Sequence, residues 1–248
     1  MVATFQWTLF GMPISIQFKL NDNLYLRDPQ GTKLGKRIIQ HGILLIDEIG
    51  FEDFTFKKLA TRIQSTEASI YRYFENKHKL LVYLLCWYWE WMKFRIDYNT
   101  TNIRDPRLKL KMAISTIVDT AKRNASIDFV DEDVLHRIVV AEGTKTYHTK
   151  RVDQENKKGF WLTYKSLNRM IADIILEIKS DYKYPRALAS TLLEMANNHI
   201  YFAEHLPSMT DINLEEGNFE PVERLLENFA FSILDCELPG GDHPDALQ

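Results

Sequence analysis

Three residues that favour helix N-termini, Thr55, Thr66 and Asn76, stand eleven and ten positions apart, and this spacing constrains the fold more than any other feature of the chain. A side-chain oxygen at an N-cap satisfies a backbone N–H that has no partner inside the helix. Each cap precedes a run with helical periodicity: "FKKLATRI" after Thr55, "EASIYRYF" after Thr66, and a long apolar stretch from Lys77 to about Tyr98 after Asn76. The first two helices can be only about two turns long, and Gln64 and Ser65 alone separate them. Upstream, Thr32 caps "LGKRIIQHGILLIDEI", which stops at Gly50, a residue type that readily ends helices. Three short helices at 33–49, 55–63 and 66–74, the last two joined by a tight turn, form a helix-turn-helix arrangement.

The rest of the chain reads as helix almost throughout, so the expected class is all-α. Asp105–Pro106 starts a helix, and further helices are expected near 106–124, 132–142, 155–180, 186–205 and 220–236. Before Thr32 the pattern changes. "ISIQFKL" at 14–20 alternates Ile14, Ile16, Phe18 and Leu20, "NDN" supplies turn residues, and "LYL" resumes the alternation. A short non-helical arm, either a β-hairpin or an extended segment, is the expectation. The expected domains are the arm at 1–32, a helix-turn-helix domain at 33–82 and a larger helical domain at 83–248.

Hydrophobic residues make up 45% of the chain and charged residues 26%, enough apolar material for a sizeable core. Two cysteines, Cys86 and Cys236, are too few for a disulfide framework and point to a reducing, cytoplasmic setting. The longest apolar run, "LLVYLLCWYW", is about half a bilayer span, so no membrane association is expected. Net charge is −3, but residues 33–82 carry nine Lys/Arg against six Asp/Glu. The net charge argues against a protein that coats nucleic acid, and the asymmetry suggests a small basic module attached to an acidic body.

The third short helix carries matching chemistry. Thr66, Glu67, Ala68 and Ser69 are short enough to bring the backbone close to base edges, and the Ala68 methyl can meet a thymine methyl. Tyr71, Arg72 and Tyr73 offer phenols and a guanidinium to phosphate oxygens. Backbone N–H groups beside Lys77, at the next helix start, can hold another phosphate. The bland alternative is that Ile70, Phe74 and Leu59 hold a small core while the charged residues are merely solvated. The stretch "DEIGFEDFTFKKLATRIQSTEASIYRYFENKHKLL" resembles the N-terminal DNA-binding domain of the tetracycline-repressor (TetR) family of transcriptional regulators over about fifty residues. The matching features are Gly50-Phe51, Thr55, Leu59-Ala60, Ser69-Ile70-Tyr71, Tyr73-Phe74, Asn76-Lys77 and Leu80-Leu81. The resemblance implies base contacts from Lys57, Glu67, Ala68 and Ser69, and phosphate or sugar contacts from Thr55, Tyr71, Arg72, Tyr73 and Lys77. Thr66 joins them as a DNA-facing residue. This chain departs from the family pattern at Phe54, Gln64, Ser65 and Ala68. A non-glycine turn obliges Gln64 to accept a positive φ or the turn to bend differently.

The resemblance further implies a C-terminal domain that dimerises and encloses an effector. The connecting helix is rich in aromatics: Tyr83, Trp87, Tyr88, Trp89, Trp91, Phe94 and Tyr98. Trp87, Trp91 and Phe94, with His136, Phe160, Tyr164 and His199, are the expected lining of a site for a small hydrophobic or aromatic ligand, to which Phe129, Tyr147 and Trp161 could add. Core packing is the competing use of each. The last two helices have apolar stripes on two sides, so Leu193, Ala196, Ile200, Ala203, Phe229 and Ile233 are the expected homodimer interface, or else internal core. The partners implied are a palindromic double-stranded DNA operator, a second copy of the chain and the effector. Repression is the family's commoner mode.

No glycine-rich phosphate loop, nucleophile elbow or zinc-type cysteine pairing occurs. Paired Glu-x-x-His motifs for a di-iron bundle are also missing. An enzyme is therefore not expected, nor is a metal or cofactor. Two other readings stay open: a helical protein-interaction module that kept this fold, and a regulator that answers to a partner protein instead of a ligand.

Overall fold

The cap residues do what their spacing predicts. In the computed structural model, which describes residues 16–119, 129–215 and 218–236, the Thr32 hydroxyl accepts from Gly35 N and starts α1 (Lys33–Asp53). Thr55 starts α2 (Phe56–Arg62), Thr66 starts α3 (Glu67–Tyr71) and Asn76 starts α4 (Lys77–Thr100), each accepting from the backbone N–H three residues on. Then follow α5 (Pro106–Asp119), α6 (Glu132–Tyr147), α7 (Val152–Lys157), α8 (Leu162–Ile178), α9 (Pro185–His205) and α10 (Glu220–Asp235). All ten are α-helices, and no strand occurs among the described residues.

Gly50 breaks α1 with φ 74°, so the regular part ends where expected and Phe51–Asp53 run on at a kink. Gln64 adopts φ 48°, the positive value that the missing turn glycine demanded. A side chain in the left-handed region costs on the order of 1 kcal/mol, and Gln64 is exposed, with nothing to lose on truncation. Gln64→Gly is therefore expected to raise the unfolding free energy by up to about 0.5 kcal/mol after its entropic cost is deducted; a lower urea midpoint would contradict this.

Three expectations need correction. The helix predicted over 155–180 is two helices, because Gly159 adopts φ 79° between α7 and α8. Gly159 N donates to Asn156 O and Phe160 N to Glu155 O, a glycine C-terminal motif visible in the sequence once the glycine is given weight. Conversely, α6 runs through Gly143 to Tyr147. There the helix has room for a side chain at the glycine: an added Cβ would make ordinary van der Waals contact with Val139 at 3.8 Å and Leu85 at 3.9 Å. The arm is not a β-hairpin within its described part, 16–31. Asn21 caps a 3-10 turn at Asp22–Leu24, and the Gln30 side chain pairs with both backbone groups of Phe18. The alternation of Ile16, Phe18 and Leu20 seats these side chains on the helical body. Ile14 and the last five residues of the helix expected at 106–124 lie outside the described residues.

Helix α4 forms the axis of the molecule. From Leu80 to Met92 every residue is buried, and the helix packs against α5, α6 and α8. A helix apolar on all sides has to be surrounded, and the arm covers the side those helices leave. The Phe18 ring meets Trp87 edge-on at 5.5 Å. Leu26 N donates to Tyr73 O, and the Asn21 and Asn23 amides both donate to Lys158 O. Pro29 lies so close to α1 that a Cβ on Gly35 would come within 2.2 Å of the Pro29 carbonyl oxygen. No helix among the described residues is long and apolar enough to cross a membrane.

Candidate nucleic-acid interface and interior cleft

The turn between α2 and α3 is held from both sides. Ser65 N donates to Ala60 O and Gln64 N to Thr61 O, while the Arg37 guanidinium of α1 donates to Ile63 O at 2.6 Å. Leu59, Ile63, Ile70 and Phe74 are fully buried beneath the turn, so α3 is fixed by its apolar side and presents the opposite face to solvent. Thr55, Lys57, Thr66, Glu67, Ala68 and Arg72 are exposed on this surface. Tyr71 is 46% exposed and rests its ring edge-on against Phe56 at 5.0 Å. Ser69 is half-buried, its hydroxyl 2.8 Å from that of Thr66.

Two of the expected contact residues are engaged within the protein. The Tyr73 ring is buried, and its hydroxyl lies 2.8 Å from the Thr32 hydroxyl. Lys77 Nζ donates to the Phe51 and Glu52 carbonyls at 3.0 and 2.9 Å and sits over the Phe51 ring. It ties the kinked end of α1 to the start of α4. Sequence reasoning did not pick out Arg27, which the arm carries to an exposed position over Tyr73, 5.6 Å from the ring centre. The basic charge of Arg27 was legible, but its place beside α3 depends on how the arm docks.

The seven residues expected to line an effector site do not share one cavity. Trp87, Trp91 and Phe94 fall on one face of α4 and stack there with Phe18 of the arm. Trp87 also packs edge-on against Phe129. Phe160 is buried, its carbonyl accepting from the Cys86 thiol. His136 lies within the core, 2.7 Å from the Tyr88 hydroxyl, and His199 bonds Thr210 beyond the end of α9's buried stripe. Of the seven, Tyr164 alone lines the cleft on the other side of α4 that is bounded by α4, α5, α6, α8 and α9.

That cleft, about 550 Å³ with its open mouth and about 50 Å³ of enclosed free space, is lined by α4, α5, α6, α8 and α9. Tyr88, Trp89 and Met92 come from α4, Gly143, Thr144 and Tyr147 from α6, Tyr164 from α8, and Glu194, Asn197 and Asn198 from α9. The Tyr147 and Tyr164 hydroxyls both donate to Glu194 Oε1 at 2.6 Å. Burial first, then Glu194, raises both phenols above their ordinary pKa, which keeps them protonated as donors.

Deeper in the body, Trp91 Nε1 donates to Glu132 Oε2 at 2.9 Å. Burial raises the Glu132 pKa to about 7, against smaller opposing effects of that hydrogen bond and of Arg95. Burial also lowers His136 to about 4. No group of three or more His, Cys, Asp or Glu side chains suited to a metal occurs among the described residues.

Of the six residues expected at a subunit interface, Leu193, Ala196 and Ile200 are buried inside the single chain, where α9 packs on α8 and α10. Ala203 is half-buried. Phe229 and Ile233, one turn apart on α10, are 43% and 38% exposed.

Comparison with known proteins agrees with this geometry. Residues 38–84 match the family described as "Bacterial regulatory proteins, tetR family". No curated protein matches the sequence significantly. Among solved structures, a transcriptional regulator from Rhodococcus sp. Rha1 is similar with a TM-score of 0.59 at 14% identity, over 81% of this chain and 95% of that one. The fatty acid degradation regulator FadR from Bacillus halodurans gives 0.54 at 18% identity, over 80% and 93%. AibR, crystallised with isovaleryl coenzyme A and operator DNA, gives 0.53 at 13% identity, over 79% and 97%.

Proposed function

We propose that this chain, a TetR-family regulator by its DNA-binding domain and fold, acts as a homodimeric repressor that reads a palindromic operator and is released by an effector in the α4–α9 cleft. The observation that carries the reading is the turn-and-helix surface at 55–72, whose polar residues are exposed on a rigid apolar support. Glu67, Ala68 and Ser69 of α3, with Lys57, face base edges. Thr55, Thr66, Tyr71 and Arg72 meet the backbone, and the free N–H groups at the start of α4 hold a phosphate where the Lys77 side chain is otherwise engaged. Arg27 from the arm adds a further charge beside them.

Coupling between cleft and DNA surface runs through α6. Gly143, Thr144 and Tyr147 line the cleft, and about two to three helix turns earlier Arg137 grips Asp47 of α1 with a two-pronged pair at 2.8 and 3.0 Å. A ligand that shifts α6 therefore turns the DNA-binding domain, provided it binds the two arrangements with different affinity. The Phe229–Ile233 stripe of α10, with the half-buried Met195 and Phe202 of α9, is the face offered to the second copy. Phe229→Asp is expected to yield a folded monomer by sedimentation; an unchanged dimer would put the interface elsewhere.

Operator binding should fall steeply with salt as phosphate counterions are displaced. Arg72→Ala, which removes one backbone contact, should lower affinity about tenfold and reduce the salt slope by roughly one. Equal affinity of wild type and variant in a gel shift would place Arg72 off the DNA. Absence of any shift against genomic fragments would favour a helical interaction module instead.

A further inference from the structure

The cleft has an unusual charge pattern for an apolar effector. Glu194 is the sole charged side chain among its lining residues, with no Lys, Arg or His. Both phenols donate to the same oxygen, Oε1, so Oε2 keeps its acceptor capacity. Glu194 has no ion-pair partner among the described residues, whereas Glu142 and Glu155 nearby pair with Lys145 and His78. Around the carboxylate stand electron-rich rings: Trp89 stacks on Tyr164 at 4.5 Å, and Tyr147 lies nearly parallel to Tyr164 at 6.2 Å. A carboxylate held at the hydroxyl ends of two phenols, beside a stack of aromatic rings and with no cation to neutralise it, is complementary to a positive ligand.

We propose that the cleft binds a small organic cation, an alkyl- or quaternary ammonium head group seated against Glu194, Tyr147, Tyr164 and Trp89. The free space of about 50 Å³, less than two water volumes, admits a primary ammonium group as it stands and a trimethylammonium group only once the surrounding side chains move apart, with any longer substituent leaving through the open mouth. A large anionic ligand such as an acyl-coenzyme A would meet the carboxylate with like charge and nothing to offset it. The Asn197 and Asn198 amides at the rim can take a hydroxyl or carbonyl on the substituent. The inference rests on the reading that the cleft is an effector site, but its test is a binding measurement that needs no DNA.

Isothermal titration of the full chain should use choline, ethanolamine and 3,3-dimethylbutan-1-ol, the last being choline's uncharged isostere. At least one of the two cations should bind about tenfold more tightly than the neutral alcohol, the weight of roughly one desolvated cation–π contact plus a carboxylate. Glu194→Gln should abolish that preference, and Tyr164→Phe, which keeps the ring and removes one donor, should retain most of it. Thermal melts of both variants establish that they are folded. Equal affinity for cation and isostere, no binding of either cation, or an unchanged preference in Glu194→Gln would overturn the proposal. Operator affinity measured in parallel separates the two readings: binding to DNA with no cation bound defeats only this inference, and cation binding with no DNA shift defeats only the regulator.

Discussion

Truncation of Trp87 to alanine is expected to lower the unfolding free energy by about 3–5 kcal/mol, the range for removing a large aromatic from a packed core. Trp87 is wholly buried at the middle of α4, where Phe18, Trp91 and Phe129 converge on it from the arm, its own helix and the segment before α6. No neighbour is free to collapse into the hole, because each is fixed by its own backbone element. Trp87→Phe is the informative control. The indole Nε1 is buried and finds no hydrogen-bond partner among the described residues, so phenylalanine removes an unpaired donor along with some volume. Those effects oppose each other, and the loss should stay below about 1.5 kcal/mol. Urea denaturation of both variants decides the matter. Equal losses would mean that the ring's position is not sealed by the arm.

The second large effect depends on pH. Glu132 is almost inaccessible to water and titrates near 7 in the fold, against 4.5 for the ordinary carboxyl. Between those values the folded chain keeps a proton that the unfolded chain has released, so stability falls as pH rises from about 4.5 to about 7. At 1.36 kcal/mol per pKa unit the full change is on the order of 3 kcal/mol, most of it between pH 5 and pH 7.5. Glu132→Gln removes it while preserving an oxygen for the Trp91 indole. The variant should therefore gain on the wild type by most of that amount between pH 5 and pH 7.5, measured by urea midpoints. His136 acts in the opposite sense. Its folded pKa of about 4 lies below the ordinary 6.5, so its contribution is present above pH 6.5 and is lost on acidification toward 4. From 4.5 to 6.5 the two slopes nearly cancel, which gives the wild type a flatter profile than either single variant. A variant-to-wild-type difference independent of pH would show that Glu132 is ionised in the fold.

The helix-turn-helix scaffold was largely legible from sequence because its elements are short and capped. Thr55, Thr66 and Asn76 set three helix starts by local hydrogen bonds, and the missing turn glycine announced the positive φ of Gln64. The cleft was not legible, for a physical reason. Every residue from Leu80 to Met92 is buried, so the helical period of α4 gives no signal of which aromatics face the arm and which face the cleft. Composition drew attention to Trp87, Trp91 and Phe94, whereas the faces are assigned by where Phe18 docks. Glu194, to which both cleft phenols donate, lies off the apolar stripes of α9, so the helical pattern gave no reason to single it out. The same ambiguity affected Leu193, Ala196 and Ile200: small and apolar residues suit either a subunit seam or a close internal crossing, and α8 and α10 take them up.

Selection of bound duplexes from a random-sequence pool tests the central claim most directly, since the protein itself picks out its operator. Two copies of α3 related by a two-fold axis should enrich an inverted repeat with half-site centres about one helical turn, or ~34 Å, apart, and Ala68→Glu in α3 should erase that enrichment. Enrichment of a single unrepeated site, or none above the starting pool at low salt, would contradict a dimeric operator-binding regulator.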